Sequence, residues 1–148
     1  MRKKKCSFVR NRFWRNTVSP NKSSSRFVSF PRLKKSFVYA AAGVVFTWKN
    51  EQNFRIHTVA AAAAFLLAQV LRVPLIEQAV LAVAVGAVLC LELVNTALEH
   101  ITDVLIQTYD ERAKIIKDTA AGGVLVFALT AAVVGGMIFI PRIVHILF

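Results

Sequence analysis

Residues 79–103 read AVLAVAVGAVLCLELVNTALEHITD, and this stretch decides the fold class. Its first 23 residues hold no lysine or arginine and only two acids, Glu92 and Glu99. A helix of that length, at 1.5 Å rise per residue, crosses a hydrocarbon core of about 30 Å. Glu92, Asn95, Glu99 and Asp103 follow at intervals of 3, 4 and 4, which sets them along one helix face. A carboxylate at the centre of a bilayer costs at least about 2.5 kcal/mol, so intramembrane acids normally face a bundle interior and mark function.

Working outward, residues 56–73 form an 18-residue apolar stretch ending at Pro74, and 119–140 form one of 22 residues without any charge. Each is long enough, or nearly so, to span. In 32–49, Phe37, Ala40, Ala41, Val44, Val45 and Trp48 recur at helical spacing behind Arg32, Lys34 and Lys35, which predicts a surface helix lying in the membrane interface. Residues 1–31 are rich in Arg, Lys, Ser and Asn, contain the breakers Pro20 and Pro31, and read as a disordered basic tail. The expected fold is an all-α membrane protein: a tail (1–31), then a domain (32–148) with an N-terminal amphipathic surface helix (32–49) and three transmembrane helices (56–73, 79–101, 119–140).

Composition supports the membrane class, with 56% apolar residues and a mean hydropathy of +0.55. The net charge of +11 is localised: 12 of the 19 Lys and Arg lie between Arg2 and Lys35, no acid precedes Glu51, and later residues hold 7 bases against 8 acids. The connection 103–118 adds Arg112, Lys114 and Lys117, whereas 72–78 has only Arg72. Cation-rich segments stay on the cytoplasmic side, so the N-terminus and the second connection face the cytoplasm and the C-terminus lies outside. Glu51, Glu99, Lys117 and Asp118 then share the cytoplasmic boundary, where ATP is available. The expected location is a membrane, crossed several times.

Other classes fit less well. Cys6 and Cys90 have neither disulfide nor zinc spacing. The basic tail with Phe8, Phe13, Trp14 and Phe27 lacks base-reading elements, and no nucleic-acid partner is expected. A noncatalytic transport subunit whose paired acids relay protons would account for Glu92 and Glu99 but would leave Glu51 and Lys117-Asp118 without a role. His57 and His100 read as interfacial boundary residues and His145 has no partner pattern. Residues 60–64 and the Gly122-Gly123 and Gly135-Gly136 pairs read as permitting close helix packing. Tyr39 fits an interfacial anchor as well as a site residue.

The motif Glu92-Leu93-Val94-Asn95-Thr96-Ala97-Leu98-Glu99 followed by Asp103 resembles a signature of the prokaryotic diacylglycerol kinase/undecaprenol kinase family. So do Ala113-Lys114-Ile115-Ile116-Lys117-Asp118 with Ala120-Ala121-Gly122, and Asn50-Glu51-Gln52-Asn53-Phe54-Arg55. The resemblance covers roughly residues 32–141 and implies a homotrimeric, Mg2+- and ATP-dependent lipid kinase. It implies that Glu92 is the general base for the lipid hydroxyl and that Glu51 and Glu99 hold the magnesium. It further places Arg32, Tyr39, Asn95, Lys117 and Asp118 around the nucleotide, and Trp48 and Arg55 near the lipid. Arg55-Ile56-His57 and 135–142 resemble the Gram-positive branch, so undecaprenol is the expected acceptor and diacylglycerol the alternative. Two carboxylates suit magnesium, which completes its shell with water and phosphate oxygens, and the absence of a G-x-x-x-x-G-K-[ST] loop excludes a P-loop kinase.

Overall fold

The structure is a computed structural model that describes residues 29–148 of the chain. Most of the basic tail therefore lies outside the described residues. The chain divides into a unit ending at Ser36 and a second running from Phe37 to Phe148. Among the described residues there are four helices and no strand: α1 (Phe30–Asn50), α2 (Gln52–Val70), α3 (Leu75–Leu105) and α4 (Glu111–Leu147).

Helix α1 begins two residues earlier than the sequence suggests. Pro31 does not break it, because a proline in the first turn lacks only an N–H that would be unsatisfied there anyway. The amides of Arg32 and Leu33 both donate to the Ser29 carbonyl, at 2.9 and 3.0 Å. Most apolar residues of α1 stay exposed, among them Phe37 and Val45, while Thr47 is buried and returns its hydroxyl to the Gly43 carbonyl at 3.2 Å. The Phe46 ring meets His100 edge-on with centroids 5.2 Å apart, which sets this end of α1 against α3.

Glu51 interrupts the run of helix in an extended conformation (φ −103°, ψ 121°), and its side chain does not cap α2. At the other end α2 stops at Val70, three residues short of the apolar stretch. Arg72 adopts φ 49°, and the amides of Arg72 and Val73 fold back onto the carbonyls of Gln69 (3.1 Å) and Ala68 (2.9 Å), a two-bond closure that satisfies the helix end. Pro74 then starts α3, its lack of an amide costing nothing at that position. Gln69 and Gln78 bond across this turn at 2.9 Å, and Gln78 also donates to the Val73 carbonyl at 2.8 Å.

Helices α3 and α4, of 31 and 37 residues, are the two among the described residues that are long and apolar enough to cross a membrane. At 1.5 Å per residue they measure about 46 and 55 Å. Asp110 caps α4 by accepting from the Arg112 amide at 2.8 Å. The helix does not end near Pro141, as the apolar stretch 119–140 suggests, but runs through it to Leu147. Arg142, one residue on, donates through Nη1 to the Ile138 carbonyl at 2.6 Å and through Nη2 to Glu77 at 2.8 Å, tying the end of α4 to the start of α3.

α3 packs along α4, and α2 packs on α3. The buried core is small and sits beside the α2–α3 turn, where Ala68, Val73, Leu81 and Ile138 meet. Elsewhere Val83, Val133 and Met137 point outward, 74%, 63% and 73% exposed. Helices apolar on every side suit hydrocarbon surroundings.

Candidate active site

The face of α3 singled out by the sequence is graded in burial. Glu92 is buried at 3% exposure and Asn95 at 8%, Glu99 is half-buried, and Asp103 is exposed. Thr96 and Thr102 are buried too, but each donates its hydroxyl to the carbonyl four residues back, of Glu92 (2.9 Å) and Leu98 (2.7 Å). Local pairing of this kind makes them structural. Asn95 differs: Nδ2 donates to Glu99 Oε1 at 2.9 Å while Oδ1 is buried without a partner. An unpaired buried acceptor costs about 1–3 kcal/mol, so this oxygen is an unsatisfied polar atom on the polar stripe of α3.

Glu51, half-buried, stands at the break between α1 and α2. Among the described residues no group of three or more His, Cys, Asp and Glu gathers closely enough to hold a metal. The donor set of Glu51, Glu99 and the free Asn95 oxygen nonetheless fits a hard cation that takes few protein ligands and fills its shell from phosphate and water.

His57, read from sequence as a boundary residue, turns out to face the site: its Nε2 lies 3.3 Å from Glu92 Oε1. It also heads a cavity of about 380 Å³ between α2, α3 and α4. The walls are Ala60, Ala61 and Ala64 from α2 and Ala128, Ala131 and Ala132 from α4. Ala60, Ala61 and Ala64 of the alanine run thus line an open slot, and Ala64 also packs against the buried core. At the glycine pairs, a Cβ at Gly122 or Gly123 would meet nothing within 4 Å and one at Gly135 or Gly136 would meet only side chains of α4 itself. On α3 the slot is lined by Leu81, Val85 and Val88. Glu92 continues that series at helical spacing, so one stripe of α3 runs from apolar slot to buried carboxylate to the polar residues Asn95 and Glu99.

Lys117 pairs with Asp103, joining the end of α3 to the start of α4. Both line a pocket of about 230 Å³ together with Thr108, Tyr109, Asp110 and Asp118. The 108–110 loop that completes this pocket carries no pattern of its own in the sequence. Trp48 stacks edge-on against Phe54 at 6.5 Å across the Glu51 break, and Arg55 is exposed beside it. Tyr39 is 40% exposed. Arg32 belongs to the first unit, on the exposed opening turns of α1.

The family model for prokaryotic diacylglycerol kinase matches residues 38–139, from α1 through most of α4. The chain belongs to that family. Among its relatives, the diacylglycerol kinase of Synechocystis sp. is 44% identical over 118 residues, covering 79% of this chain and 67% of the relative. The undecaprenol kinase of Bacillus subtilis is 38% identical over 112 residues, 76% of this chain and 91% of the relative. The diacylglycerol kinase of Escherichia coli is 31% identical over 104 residues, 70% and 85% of the two chains. Glu51, Glu92, Asn95, Glu99 and the Lys117-Asp118 pair all fall within the matched residues of this kinase family, whereas Arg32 lies before them. A kinase family brings with it ATP as phosphoryl donor and usually a divalent metal.

Proposed function

We propose that this chain is an integral membrane lipid kinase that transfers the γ-phosphoryl group of ATP to the primary hydroxyl of undecaprenol. The observation that carries this reading is the continuity of α3: an apolar slot, then the buried Glu92, then Asn95 and Glu99 on one stripe. A lipid alcohol lying in the slot presents its hydroxyl to Glu92, which is placed to accept the proton as the oxygen attacks phosphorus and ADP leaves. Asn95 donates to the Glu99 carboxylate, and Lys117 and Asp118, which line one pocket, are assigned to the nucleotide. Magnesium held by Glu51 and Glu99 would offset phosphate charge in the transition state. Trp48 and Arg55 are assigned to the lipid by the family resemblance.

The membrane arrangement in this reading has α1 in the interface and α2, α3 and α4 as three spans, with the N-terminus cytoplasmic. α2 covers about 28 Å, close to a hydrocarbon thickness, with Asn53, Arg55 and His57 at one end and Gln69 at the other. The kinase domain in this reading begins with α1, after the basic N-terminal sequence. The outward apolar faces of α3 and α4 favour assembly into the homotrimer that the family resemblance implies.

Diacylglycerol is the second acceptor, favoured by the name of the Synechocystis relative, while the Bacillus subtilis relative favours undecaprenol. Competition between the two lipids in the same micelles, scored by transfer of labelled phosphate, decides between them. Preferential labelling of undecaprenol is expected. Preferential labelling of diacylglycerol would reverse the choice of acceptor, and labelling of neither lipid would refute the kinase reading.

A further inference from the structure

We propose that His57 is a positioning residue for Glu92: its imidazole, reaching across from α2, holds one carboxylate oxygen so that the other faces the hydroxyl arriving at the head of the slot. This rests on the lipid-kinase reading above and assigns a role to a residue outside the three motifs.

Three observations support it. First, Glu92 is buried on an apolar helix, and among the described residues the polar side chain in contact with its carboxylate is His57, with Nε2 at 3.3 Å from Oε1. The neighbours on α3 are committed elsewhere: the Thr96 hydroxyl goes to the Glu92 backbone carbonyl, and the Asn95 amide goes to Glu99. A buried carboxylate with no donor is costly and free to rotate among unproductive rotamers, so the imidazole both compensates it and fixes it. Secondly, His57 is the polar member of an otherwise apolar cavity lining, placed on α2 at helical spacing above Ala60, Ala61 and Ala64. It therefore stands where the slot meets the base. Thirdly, the contact uses Oε1, which leaves Oε2 for the substrate. Orientation of a reacting group by a fixed neighbour is a recurrent requirement of acid–base catalysis, because a base that points elsewhere cannot take the proton.

The test compares the full-length protein with His57→Ala, His57→Gln, Glu92→Gln and the double variant His57→Ala/Glu92→Gln in mixed micelles, measuring kcat and both KM values. Losing the imidazole should lower kcat about 10- to 100-fold, the usual consequence of removing an orienting partner, with little change in KM for lipid or ATP. Glutamine, which keeps a donor at similar reach, should restore most of kcat. In the Glu92→Gln background the His57→Ala change should add no further loss, since groups acting as a unit are not additive. An equal fold-loss in both backgrounds, or a loss confined to the lipid KM, would mean that His57 merely lines the slot, and the proposal would fall. If the alanine variant does not fold, His57→Leu, which fills the position without a polar atom, takes its place with the same expectations. A wild-type protein that phosphorylates no lipid alcohol refutes the parent reading, whereas an active wild type with an undisturbed His57→Ala variant refutes this inference alone.

Discussion

Asn95 Nδ2 donates to Glu99 Oε1 at 2.9 Å, one turn apart on α3, and leaves Asn95 Oδ1 buried with no partner. The amide thus fixes a carboxylate with one end and leaves the other unsatisfied. Asn95→Ala should release Glu99 and remove the spare acceptor, raising the KM for ATP about tenfold or more while the helical fold persists. The scale is that of losing an outer partner of a metal ligand. Asn95→Asp should be worse, because it sets a second negative charge beside Glu99. Steady-state kinetics at varied ATP and magnesium checks both.

The three acids should separate by kinetic signature. Glu92→Gln removes the base and should lower kcat more than about 100-fold, with ATP binding largely intact. Glu51→Gln and Glu99→Gln should weaken the apparent affinity for magnesium and ATP. Near-normal turnover in the Glu92 variant would remove its assignment as base.

Much of this site is legible along α3 because a single helix carries it: the 3, 4, 4 spacing of Glu92, Asn95, Glu99 and Asp103 needs no knowledge of neighbouring helices. His57 is not legible, since nothing local to an isolated histidine between Ile56 and Thr58 says which helix it faces. The same limit explains the alanines. A small-residue run reads equally as a packing seam or a cavity wall, and only the separation of α2 from α4 shows it to be a wall. Helix ends fail for local reasons, with Arg72 in a left-handed turn that would ordinarily draw a glycine and Pro141 carried inside α4.

At the other end of the bundle, Arg142 Nη2 meets Glu77 Oε1 at 2.8 Å, both side chains partly exposed. Such a pair contributes about 1 kcal/mol at most. Arg142→Ala should lower thermal stability in detergent slightly and leave kcat unchanged, because the pair is remote from Glu51 and Glu99. Exchanging the charges, Glu77→Arg with Arg142→Glu, should recover most of the loss.

The proposed orientation, with the N-terminus cytoplasmic, rests on the cation counts. With Cys6 and Cys90 replaced, a cysteine at position 146 should react with an impermeant reagent from outside intact cells, and one at position 108 should react only after permeabilisation. The opposite pattern would place Lys117 and Asp118 away from cytoplasmic ATP and remove the nucleotide assignment with it.

The slot makes the most demanding prediction. Ala61 and Ala131 sit in opposite walls of the cavity, on α2 and α4, and both present only a methyl group to it. Leucine at either position intrudes on the space a lipid chain would fill. A mismatch of about one methylene in an apolar pocket is worth about 1–3 kcal/mol, and at 1.4 kcal/mol per tenfold that amounts to about 5- to 150-fold in kcat/KM for the lipid. The KM for ATP should not move, since Asn95 and Glu99 lie beyond Glu92 on α3 and Lys117 and Asp118 line a different pocket. Chain length supplies the control: a lipid alcohol with chains too short to reach Ala131 should be phosphorylated by the leucine variants almost as well as by the wild type, while undecaprenol should lose most. Equal loss for short and long chains would show a general disturbance of the bundle, and no loss for either would show that the acceptor lies outside the slot.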